Sequence, residues 1–124
     1  MRKRNKQVGG SHYELLDIEP VELFVKFNLN WFQGEVVKYC SRFLNKNGKQ
    51  DLLKAIQVCD LADSLGLSIR PIFIPKLDND FLNKYISQFE YSEVLGDIIH
   101  YLLVDNNYLL AGAKIVDLKN MYYE

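Results

Sequence analysis

Apolar residues recur at helical spacing through two stretches of the chain, with one segment of different character between them. Pro20 is well placed as the first residue of a helix, because it lacks the N–H that would go unpaired there. Val21, Phe24 and Val25, extended by Asn28, mark the apolar face of a short helix. After a break at 28–30, Asn30 and Gln33 have the spacing of a capping box, in which two side chains satisfy the first free backbone donors of the next helix. Trp31, Val36, Val37, Cys40, Phe43 and Leu44 give that helix a broad apolar stripe, and Asn45-Lys46-Asn47-Gly48 interrupts it. Asp51 then falls in the first turn of a third helix, where a carboxylate favours the positive dipole end. Leu52, Ala55, Ile56, Cys59 and Ala62 continue this helix, and Gly66 is its expected stop. In LSIRPIFIPK, residues 67–76, prolines and β-branched side chains predict an extended connector. Leu67, Ile69, Ile72, Phe73 and Ile74 are too apolar to lie loose there, so they are expected to pack on the core or on another subunit. Helical patterning resumes at Asp78 and runs to the end, with breaks near Glu90 and Asn106.

The second half repeats the first. Gly34-Glu-Val-Val-Lys-Tyr39 aligns with Gly96-Asp-Ile-Ile-His-Tyr101, and the run from Leu52 to Leu61 aligns with that from Leu109 to Leu118. Chance similarity between amphipathic helices is the competing explanation, but the shared order of glycine, acid, two apolar residues, base and tyrosine favours duplication. The expected fold is all-α: a tandem pair of helical hairpins, five to six helices, with a short extended connector. One domain spans 1–124, with a basic tail at 1–8, a first helical half at 9–66, a connector at 67–77 and a second half at 78–124. Glycine inside a helix costs about 1 kcal/mol relative to alanine. A close crossing of two helices would account for both Gly34 and Gly96.

Charge changes this picture locally. Fifteen basic and sixteen acidic residues nearly cancel, which argues against nucleic acid as a partner. The opening MRKRNK is either a solubilising tail or an arm that follows phosphates. Cys40 and Cys59 form neither a CxxC pair nor a Cys/His cluster, so a metal site is not expected and both read as reduced core thiols. No apolar run follows the basic start or approaches the roughly 20 residues of a membrane span. The expectation is a cytoplasmic protein with no membrane partner.

The basic residues are not duplicated. Lys38 becomes His100, Arg42 becomes Val104 and Lys54 becomes Ala111, while the apolar positions persist. Lys38 and Arg42 are neighbours on one helix face, Lys46 follows four residues on, and Gly48 permits a tight turn with exposed amides ahead of the next helix. A helix start beside lysine and arginine suits an anion. Arg42 can grip phosphate through two parallel hydrogen bonds, with the lysines as point charges. The alternative is that Lys46 and Lys49 are ordinary solvated charges, and that Lys38 and Arg42 pair with Glu35 and Asp51. His12 and Tyr13 follow two glycines, where the backbone can approach a ligand closely. Tyr13 could stack on a base; Tyr39 and Trp31 are further aromatic candidates, or core residues.

Ser11-His12-Tyr13, Pro20 and Glu22, Gly34-x-x-x-Lys38-Tyr39-x-x-Arg42, and Lys46-Asn47-Gly48-x-x-Asp51-Leu52-x-Lys54-Ala55 together resemble the phage-encoded SaV-like domain over about residues 9–66. One member of that family is a nucleotide kinase without a Walker P-loop. The resemblance implies a nucleotide-handling protein of a phage or prophage, with His12, Tyr13, Lys38, Arg42, Lys46 and Lys54 as phosphate and base contacts and no cofactor. The chain carries no GxxxxGK[ST] and no paired carboxylates on the Glu35 helix, so a kinase would have to offset phosphate charge with lysine and arginine alone. Three readings stay open. The first is a nucleoside monophosphate kinase-like phosphotransferase. The second is a non-catalytic sponge for a nucleotide, including a cyclic-nucleotide signal of antiphage defence. The third is a structural or interaction module. Leu102, Leu103 and Val104, apolar where the first half has Cys40, Ser41 and Arg42, predict a homo-oligomer.

Overall fold

The computed structural model describes residues 16–69 and 78–123. The expected tail at 1–8, the lead-in with His12 and Tyr13, and connector residues 70–77 lie outside the described residues. Among the described residues six α-helices follow in order: α1 (Pro20–Phe27), α2 (Trp31–Arg42), α3 (Lys49–Ser64), α4 (Asn79–Ile86), α5 (Ser92–Leu103) and α6 (Tyr108–Tyr122). Short 3-10 turns occupy Phe43–Asn45 and Leu67–Ile69. The fold is all-α, and no strand occurs among the described residues. Where the connector is described, it begins as a 3-10 turn rather than an extended segment. Asn106 donates to the Leu67 carbonyl at 2.9 Å and Ser68 accepts from the Tyr108 backbone at 3.0 Å, bonds that fix the turn against the start of α6.

The local signals work largely as read. Pro20 opens α1, and Asn28 closes it in the left-handed conformation at φ 52°. Asn30 and Gln33 form the capping box of α2 in both directions, at 2.8 and 3.0 Å. Gly66, at φ 82°, lies just beyond the C-cap of α3. Faces were less legible. Val21 and Val25 are exposed, and α1 buries Leu23 instead. Trp31 and Leu44 are 59% and 44% exposed and are not part of the core.

One apolar cluster draws side chains from all six helices. Helix α3 lies against α2 and α6, and α6 against α5. The α3–α6 contact is close where buried small residues line both helices, Ala55, Cys59 and Ala62 on α3 and Ala111 and Gly112 on α6, and a Cβ on Gly112 would stand 3.3 Å from that of Cys59. Polar bonds tie the halves together. The Gln88 amide exchanges bonds with the Ile18 backbone at 2.8 and 3.1 Å, and Tyr91 donates to the Cys40 carbonyl at 2.7 Å. Ser41 and Tyr85 share a buried hydroxyl–hydroxyl bond.

The repeat is longer than the sequence suggests, and its second register differs. Buried Val36, Val37, Cys40 and Ser41 of α2 match buried Ile98, Ile99, Leu102 and Leu103 of α5, each 62 residues on. The same spacing relates Leu23 of α1 to Tyr85 of α4, and pairs the contact of Gly34 with Phe24 to that of Gly96 with Ile86. Among the described residues the repeat therefore takes in three helices of each half, not a hairpin alone. In α3 and α6 the alignment of Leu52 with Leu109 puts a fully buried residue opposite one that is 62% exposed. Burial instead pairs Leu52 with Tyr108, Ala55 with Ala111, Cys59 with Ile115 and Ala62 with Leu118, 56 residues apart. A shift of one residue turns a helix by about 100°, so matching identical leucines mismatched the faces. The counterpart of Lys54 is then exposed Leu110, not Ala111.

Candidate functional site

Helix α2 buries Gln33, Val36, Val37 and Cys40, which leaves the row Trp31, Glu35, Lys38 and Arg42, with Tyr39 beside it, on the outer face. The Tyr39 ring gathers cations from two helices. The Lys38 ammonium lies 4.9 Å from its centroid, the Arg42 guanidinium 4.9 Å and the Lys54 ammonium, from α3, 5.8 Å. All three fall within the roughly 6 Å over which a ring quadrupole attracts a cation.

Two of these cations are already countered. Lys38 meets Glu35 at 2.9 Å on a partly exposed surface. Arg42 reaches the fully buried Asp51 through Nε at 3.3 Å and a terminal nitrogen at 3.4 Å, with only 14% of its own side chain exposed. Asp51 also accepts from the Asn47 backbone at 3.3 Å and its amide at 3.5 Å. Arg42 therefore holds the α2–α3 turn while two of its five N–H donors are spent. Lys54 differs: among the described residues no carboxylate lies within 4 Å of its ammonium.

The turn itself departs from expectation. Gly48 adopts φ 56° and ψ −129°, and a Cβ there would stand 3.2 Å from the Tyr123 hydroxyl, so only glycine fits. Its amide is not exposed to an anion, however, because it donates to the Phe43 carbonyl at 2.8 Å, and the Asn47 amide is taken by Asp51. An anion at this site would meet side chains, not the start of α3. Lys46 is exposed in the turn and reaches neither a carboxylate nor a ring among the described residues. Of the six residues singled out, the structure brings Lys38, Arg42 and Lys54 together and leaves Lys46 apart; His12 and Tyr13 lie outside the described residues. The residue that sequence reasoning undervalued is Tyr39. Its signal was its place between Lys38 and Arg42 on the outward side of the helix.

Among its described residues the second half builds nothing equivalent. His100 lies 3.6 Å from Asp105, Val104 is exposed, and no cation–ring contact occurs around Tyr101 among the described residues. Nearby thiols offer no nucleophile. Burial, then Cys59 and Asp51, push the Cys40 thiol well above its ordinary value, and burial pushes Cys59 up to about 12. Among the described residues no helix is long and apolar enough to cross a membrane.

No curated protein and no solved structure matches the chain. Residues 8–60 match the model of a family described as a protein of unknown function, DUF3310, a span that takes in α1, α2 and most of α3 and stops before the second half.

Proposed function

We propose that the outer face of α2 and α3 binds the phosphate of a nucleotide, with Lys54 and Lys38 as direct contacts and Arg42 supporting them from the turn. The observation that carries this reading is the convergence of three cations on Tyr39, one of them without a carboxylate among the described residues. Ordinary surface lysines avoid such company, because like charges repel and each loses rotamer freedom. An anion in their midst relieves both costs. The sequence resemblance to the phage SaV-like domain supports a nucleotide as the ligand and a phage or prophage as the setting.

Turnover distinguishes a phosphotransferase from a sponge. Thermal shift against mono-, tri- and cyclic nucleotides identifies the ligand, and chromatography of the recovered ligand then reports conversion or return intact. Lys54→Met keeps most of the aliphatic stem and removes the charge, and it is expected to weaken binding about 10- to 150-fold, the range for a charged hydrogen bond. No stabilisation by any nucleotide sinks the reading.

We also propose that the chain self-associates through the outer side of α6, where Leu109, Leu110, Val116 and Met121 are exposed. Light scattering is expected to report a dimer or larger, and Val116→Glu to dissociate it; a monomer at all concentrations overturns this.

A further inference from the structure

Trp31 is the chain's one tryptophan and the largest apolar side chain it has, yet it is 59% exposed. The position 62 residues on is Glu93, so packing shared by the two halves does not call for an aromatic ring there. Its backbone role does not need one either, since the α2 start is already closed by Asn30 and Gln33. The ring is nevertheless held. Phe32 meets it nearly at right angles, 85°, with centroids 5.1 Å apart. Phe32 in turn rests edge-on against buried Tyr108, whose hydroxyl accepts from the Asn30 amide at 3.2 Å. The indole is thus exposed on an aromatic support, in a row with Lys38 two turns further on.

We propose that Trp31 stacks on the base of the ligand whose phosphate lies among Lys38, Arg42 and Lys54, which makes the ligand class nucleotides in place of simple phosphates or sugar phosphates. This rests on the phosphate site proposed above. Trp31 and Lys38 are separated by about 10 Å along the axis, from seven residues at 1.5 Å each, and the Lys38 side chain closes part of that span by reaching back one turn to Glu35 at 2.9 Å. Tyr39 is not the platform, because its ring is occupied by the cations. Every base has a π-face, so stacking selects for a base without selecting strongly among bases.

The single tryptophan makes the test direct. Nucleoside monophosphates and ribose 5-phosphate are titrated into the wild type and the Trp31→Ala and Trp31→Phe variants, with indole fluorescence followed in the wild type and calorimetry in all three. The expected result is fluorescence quenching by nucleotides but not by ribose 5-phosphate. Trp31→Ala should lose about 10- to 100-fold in nucleotide affinity and little in ribose 5-phosphate affinity. Trp31→Phe should recover much of that loss. Circular dichroism is expected to be unchanged, since the side chain is mostly exposed. If ribose 5-phosphate binds as tightly as nucleotides and Trp31→Ala changes neither, the platform is refuted while the phosphate site stands. If neither ligand binds the wild type, both proposals fall.

Discussion

Removing the Asp51 carboxylate tests the electrostatic frame of the site. Asp51 is fully buried and accepts four hydrogen bonds, two from Arg42 and two from Asn47. Asp51→Ala leaves the guanidinium, 14% exposed, without a counter-charge and the Asn47 amide without an acceptor. Breaking a buried pair from one side costs about 3–5 kcal/mol. The contacts to Arg42 are long for charge-assisted bonds, at 3.3 and 3.4 Å, and the guanidinium sits near enough to the surface to turn towards water. Both arguments place the loss near the lower end, about 3 kcal/mol, or a fall in Tm of about 9–15 °C for a chain of this size. Denaturant unfolding of Asp51→Ala, Arg42→Met and the double variant supplies the cycle. The double variant is expected to be more stable than Asp51→Ala alone, because it no longer buries an unpaired charge. Loss below 0.5 kcal/mol in Asp51→Ala, or additivity of the two single changes, would refute the reasoning. The same pair explains why Arg42→Ala is a poor probe of ligand binding: it damages the turn as well as the site.

Other outcomes follow from the packing and the titrating groups. Gly34→Ala should destabilise by about 1–2 kcal/mol despite the better helix former, because its Cβ would sit 2.7 Å from the Phe24 ring; Gly96→Ala, with Ile86 3.8 Å away, should be neutral or stabilise by up to about 1 kcal/mol, as equilibrium unfolding will show. Cys40 and Cys59 should both resist a thiol reagent at pH 8 in the native protein and both react after denaturation, since they are buried and their thiols are held protonated. Burial, with the bond donated to Glu90, pushes Tyr122 from its ordinary 10.0 up to about 12. A raised value in the folded state stabilises below about pH 10 and is lost as pH climbs towards 12, so Tyr122→Phe should flatten the alkaline decline of Tm across that window.

Much of the local structure was legible because it depends on near neighbours. The proline at the start of α1, the capping box of α2, the breaks at Gly48, Gly66, near Glu90 and at Asn106, and the all-α class all follow from residues within one turn of each other. The repeat was visible through α2 and α5, where like residues hold like positions. It was hidden in α1 and α4, because Phe24 and Ile86 share a role but not a residue type. The site was legible in part. Spacing put Lys38 and Arg42 on one face, but spacing alone does not say which face, and it named Lys46 as a partner where the structure leaves it in solvent.

The amino-acid order alone determined which segments are helical, where they stop, and that one half is basic where the other is apolar, since periodicity, caps and charge are properties of short stretches. Tertiary packing decided the rest. It put α3 next to α2, so that a lysine 15 residues beyond Tyr39 comes to the same ring; it closed the turn around Asp51; and it left Trp31 outside the core. Those are contacts between side chains distant along the chain, and only the fit of whole helix faces against one another selects them.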